Sequence, residues 1–160
     1  ELVTNAIHFL DLHAWLNDTE IIQMSTEELG VWSPSKRKNN FDTSGVLKAT
    51  YLDHSQLIIN CVESSLETTI RLNTCKGTIF VNEIKGFWND LEHEKNNGGL
   101  EFQSAMTGLI ADHIFNISDD SDVPLPTFQE IYKMHLLMLE VFRTHWNSSL
   151  KIESQRVPIT

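Results

Sequence analysis

From residue 45 to residue 62 the chain reads GVLKATYLDHSQLIINCV. Two runs of β-branched, aromatic and aliphatic residues flank Asp53-His54-Ser55, three residues that favour a turn. This reads as an antiparallel hairpin, and it sets the class of the fold. The same grammar repeats downstream. "ETTIRLN" and "GTIFVNEI" flank Thr74-Cys75-Lys76-Gly77, with glycine where a positive φ is easiest. "GFWNDL" adds a further strand, and "EIIQMS" (20–25) an earlier one. Strands joined through short turns must be antiparallel.

Helices bracket this β-rich region. Residues 3–16 carry apolar side chains on almost every face, so that helix is buried on most sides. Phe102, Ala105, Met106, Leu109 and Ile110 recur at helical spacing over 100–116. Thr127 with Glu130 three residues on predicts a capping box opening a long final helix, with Pro126 at the boundary. Residues 31–45 read as a loop by composition, with Pro34 and the run Lys36-Arg37-Lys38. The expectation is an α+β fold: an open, predominantly antiparallel sheet with helices packed on one face. The other face is solvated or meets a partner.

The 160 residues suit one domain, and the 41% apolar content suffices for a core. A net charge of −10, from 12 basic and 22 acidic residues, argues against nucleic acid or an anionic membrane as partner. No apolar run approaches the roughly 20 residues of a membrane span. Cys61 and Cys75 form no metal-binding spacing, and free thiols in a reducing, cytoplasmic setting are expected. Sequons at Asn17, Asn116 and Asn147 leave open a secreted glycoprotein, which we rank last. No G-x-G-x-x-G, P-loop, G-x-S-x-G or H-E-x-x-H occurs, so neither a dinucleotide fingerprint nor a metal site is expected in these residues.

The chemistry concentrates in the first helix. Thr4, His8, Asp11 and Trp15 are spaced by four, three and four, so they share a face, with Asn5 at its flank. His8 can take and give a proton near neutral pH. Asp11 can orient it or bind a hydroxyl, and Thr4 and Asn5 can bind hydroxyls. The competing reading is a core histidine satisfied by Asp11. Lys36 and Arg37 suit an anionic substrate group, against a plain solvated loop.

Three segments in register, "NAIHFLDLHAWL", "TCKGTIFVNE" and "VPLPTFQEIYKMHLLMLEVF", resemble the Gfo/Idh/MocA family, the glucose–fructose oxidoreductase and inositol dehydrogenase group. The resemblance covers nearly the whole chain. It implies the C-terminal substrate and oligomerisation domain of an NAD- or NADP-dependent enzyme acting on a sugar, sugar derivative or polyol. The N-terminal Rossmann domain and probably the first strand would lie outside residues 1–160. It implies that His8 is the catalytic histidine and Asp11 the last position of H-x-x-D. The aspartate the family often places four residues before the histidine is Thr4 here, which hydrogen-bonds but carries no charge. It also implies a homo-oligomer through the open sheet face. The cofactor is expected in the complete enzyme, with none bound by this chain alone. The alternative is a non-catalytic binding or assembly module that retains the fold.

Overall fold

A computed structural model describes residues 2–62, 68–82, 84–93, 97–99, 115 and 126–159. The predicted helix over 100–116 lies, apart from Phe115, outside the described residues. The chain divides into two compact units, residues 1–63 with 126–160, and residues 64–125.

In the first unit, helix α1 (Leu2–Asn17) leads into strand β1 (Ile21–Leu29). Two short strands follow, β2 (Ser33–Pro34) and β3 (Phe41–Asp42). Strands β4 (Gly45–Tyr51) and β5 (Gln56–Cys61) complete the β region, and helix α2 (Phe128–Leu150) closes the unit. The hairpin at 45–61 forms as read: Thr50 pairs with Gln56 and Gly45 with Cys61. Its turn is fastened by Asp53, whose Oδ1 accepts from the Ser55 amide at 3.0 Å and the Ser55 hydroxyl at 2.6 Å. His54 takes a positive φ of 66° there.

The sheet order is β1-β4-β5, all antiparallel. Leu47, Ala49 and Tyr51 alternate inward along β4, and Lys48 points outward to pair with Glu28. The inward residues meet Leu2, Val3, Ala6 and Leu10 of α1 and Met134, Met138 and Phe142 of α2 in one apolar core. Helices thus cover one sheet face, as the alternation of a half-buried antiparallel sheet demands. The capping box is present: the Thr127 hydroxyl accepts from the Glu130 amide, and the Glu130 carboxylate accepts from the Thr127 amide.

Residues 31–45 are more structured than their composition suggests. They form an excursion between β1 and β4, closed at its base by the Gly30 amide on the Ser44 carbonyl at 2.8 Å. The Thr43 hydroxyl donates to the Gly30 carbonyl at 2.9 Å. Inside it β2 and β3 pair over two residues each, and β4 has begun by Gly45. Polar composition hid this because the pairing is held by a few backbone bonds and by aromatic packing, not by an alternating apolar run.

The second unit contains β6 (Thr69–Thr74), β7 (Gly77–Asn82), β8 (Phe87–Asp90) and β9 (Asn97–Gly99) in one antiparallel sheet of that order. The β6–β7 hairpin pairs Thr74 with Gly77, whose φ is +141°. The α+β class and the antiparallel pairing hold, but the described strands are shared among three sheets. Among the described residues, no helix is long and apolar enough to cross a membrane. Cys61 and Cys75 are free thiols.

Candidate functional site

Helix α1 is held at three places. At its first turn the Val3 amide donates to Asp42 Oδ1 at 2.9 Å, and the same oxygen accepts from the Thr43 amide at 2.8 Å. The first amides of a helix have no internal partner, so a buried aspartate from β3 supplies one, 39 residues away in sequence. At mid-helix the fully buried Tyr51 donates its hydroxyl to the Leu10 carbonyl at 3.1 Å. Towards the C-terminal end His13 stacks on the Tyr51 ring, centroids 4.1 Å apart and planes at 17°. Asn17 then donates to the His13 carbonyl at 3.1 Å.

With Leu2, Val3, Ala6 and Leu10 facing the core, the Thr4–His8–Asp11–Trp15 stripe turns outward. Thr4 and Asp11 are half-buried, Asn5 and His8 are exposed, and Trp15 is 78 % exposed. His8 is therefore not a core histidine satisfied by Asp11. It is exposed, and no hydrogen bond joins the two side chains. The reason is geometric: Leu2, Val3, Ala6 and Leu10 take the core side of α1, leaving the Thr4–His8–Asp11 spacing on the opposite face, while Leu12, Trp15 and Leu16 stay exposed.

Asp11 sits in a mixed environment. Burial raises its pKa above the ordinary aspartate value, while the nearby His135 and His8 rings pull it back down. His135 comes from α2, which packs beside α1. Its Nε2 is buried without a hydrogen-bond partner. Tyr51 is pushed up by burial and, less, by the Asp11 carboxylate. His13 is lowered by burial, against the opposing pull of Asp53. Residues Thr4, Asn5, His8 and Asp11 thus share one outward surface, and His135 joins Asp11 from the neighbouring helix.

Lys36 and Arg37 stand elsewhere on the excursion, exposed at the tip of a turn. That turn is tied to itself, with the Ser35 amide on the Asn40 carbonyl at 2.8 Å and the Asn40 amide on the Arg37 carbonyl at 3.2 Å. Neither cation forms an ion pair or hydrogen bond with Asn5, His8 or Asp11. Three residues that shape the site escaped sequence reasoning: Asp42, Tyr51 and His135. Only His135 carried a signal, a histidine in an amphipathic helix, and from sequence it reads as packing. His145 of α2 is half-buried in an aromatic cluster described below.

Among the described residues no group of His, Cys, Asp and Glu is arranged to hold a metal ion. A dinucleotide needs a glycine-rich turn carrying a parallel strand into a helix N-terminus. The described strands pair antiparallel, and the seven glycines contain no such motif. Among the described residues that arrangement does not occur. Comparison with protein-family models, with curated proteins and with solved structures finds no match for this chain.

Proposed function

We propose that this chain is the substrate-facing domain of an NAD(P)-dependent oxidoreductase acting on a hydroxyl of a sugar, sugar derivative or polyol. The nicotinamide nucleotide would be bound outside these residues, and the chain's own part is proton transfer and hydroxyl recognition. The observation that carries the reading is the outward stripe of α1. His8 is exposed there, and Asp11 feels both His8 and His135. An exposed imidazole can accept a hydroxyl proton, and a carboxylate on the same face can hold that hydroxyl or the imidazolium that forms. Thr4 and Asn5 extend the surface with uncharged hydrogen-bonding groups. Lys36 and Arg37 would meet an anionic substituent such as a phosphate or carboxylate. A cytoplasmic, homo-oligomeric protein, joined through an open sheet face, completes the reading.

The test is oxidation of a panel of aldoses, polyols and nucleotide sugars by the complete polypeptide that carries this chain, with NAD⁺ or NADP⁺ supplied. Nicotinamide reduction with at least one panel member supports the reading. No reduction with any, from protein shown to bind the nucleotide, contradicts it. A second reading, a non-catalytic binding or assembly module, is favoured by Thr4 where an aspartate would strengthen His8. Exposed Leu12, Trp15 and Leu16 on α1 favour it too.

A further inference from the structure

We infer that residues 31–42 form an acid-releasable clasp, seated on α2 by Trp32 against His145 and freed when His145 is protonated. This inference is independent of the proposed activity. It rests on an aromatic cluster and on two buried nitrogens.

The excursion is anchored to α2 through rings. Trp32 lies 5.1 Å from Trp146 and 6.3 Å from Phe142, both nearly edge-on, and 5.7 Å from His145. Phe41, from the far strand of the excursion, meets Trp146 at 5.0 Å. One backbone bond adds to this, the Phe41 amide on the Pro158 carbonyl at 2.8 Å.

Within the cluster, Trp32 Nε1 and His145 Nδ1 are both buried and both lack a hydrogen-bond partner. An indole N–H can only donate. A neutral imidazole offers one nitrogen as acceptor, so the two groups are chemically compatible while His145 is uncharged. Protonation makes both ring nitrogens donors. It then places a half-buried cation beside an indole N–H that can only donate, with the Leu29 backbone and the Ser149 hydroxyl as its polar neighbours.

Among the described residues, no ion pair involves His145. From β1 the ring meets the Leu29 backbone, and the nearby Glu28 is exposed and paired with Lys48. From the excursion it meets Trp32, while Lys36 and Arg37 stand exposed at the turn tip. From α2 it meets Ser149, whose hydroxyl is 3.5 Å from Nε2. Burial lowers the pKa of His145, with the Leu29 backbone pulling the other way. The seated state is therefore fully favoured above the ordinary histidine pKa of about 6.5, and that preference is lost as pH falls through the folded value. Release reaches α1, because Asp42 belongs to the same excursion and accepts from Val3 in its first turn.

The experiment is amide hydrogen exchange on the chain at about pH 7.5 and about pH 5.5, corrected for intrinsic rates, with wild type and His145→Asn. Wild type should lose at least about threefold protection at Phe41, Thr43 and Val3 on acidification, with β6–β8 unchanged. The His145→Asn protein, neutral at both values, should show no such change. Wild-type protection that holds at the lower pH overturns the inference, as does an equal loss in the variant. If the variant does not fold, proton NMR of wild type decides. The Trp32 indole N–H should titrate with the same midpoint as the His145 ring, and separate midpoints or a static indole signal overturn the clasp.

Discussion

Replacing Asp42 with alanine removes the acceptor of two buried amides, Val3 at 2.9 Å and Thr43 at 2.8 Å. Hydrogen bonds to a charged acceptor contribute roughly 1.5–3 kcal/mol each. Part of this is offset, because Asp42 Oδ2 is buried with no partner and its removal relieves a penalty of about 1–3 kcal/mol. The net loss should be about 2–3 kcal/mol. Asp42→Asn keeps an oxygen at the Oδ1 position and replaces the unsatisfied oxygen with an amide nitrogen. It should cost about 1 kcal/mol or less. Urea titration followed by tryptophan fluorescence reads both, because Trp15, Trp32 and Trp146 share a unit with Asp42. In a chain of this size the alanine variant should melt about 4–12 °C lower. Alanine within about 0.5 kcal/mol of wild type would refute the capping argument. So would asparagine as damaging as alanine.

Three further outcomes follow from named contacts. Asp11→Asn should stabilise the protein at neutral pH. Burial raises the folded-state pKa of Asp11, so its ionisation opposes folding as pH rises through that value. The advantage should vanish below the ordinary aspartate value of about 3.9, which melting at neutral and strongly acid pH would reveal. Tyr51→Phe deletes the hydroxyl bond to the Leu10 carbonyl and should cost about 0.5–1.5 kcal/mol in urea, with the His13 stacking retained. Gly45→Ala should cost at least about 2 kcal/mol, since φ is +109° and a Cβ would collide with the Glu28 carbonyl across the β1–β4 pair. A neutral melting temperature for that variant would mean that the pairing is not rigid there.

Local chemistry made much of the fold legible. Asp53-His54-Ser55 and Thr74 to Gly77 mark their hairpins because turn residues act over three or four positions. Thr127 and Glu130 mark a helix start for the same reason. The pairing of β1 with β4 was not legible, because a thirteen-residue excursion separates Gly30 from Ser44 and its polar residues read as loop. The remote cap was hidden as well: one Asp in "NNFDTSG" gives no hint that it serves a helix 39 residues away. For the site, helical periodicity placed Thr4, His8 and Asp11 on one face but could not say whether that face looked in or out. Burial of Leu2, Val3, Ala6 and Leu10 against β4 and α2 decides it. Lys36 and Arg37 were grouped with the stripe on charge alone, and charge carries no information about distance.

The kcat of the complete polypeptide with His8→Asn, against wild type on the same hydroxyl substrate, tests the central claim most directly. His8 is exposed, so the variant should melt within about 0.5 kcal/mol of wild type. If His8 takes the hydroxyl proton, kcat should fall about 10²- to 10⁴-fold. A kcat within about twofold of wild type, in a protein that folds equally well, would contradict the assignment of the α1 stripe as the site of proton transfer.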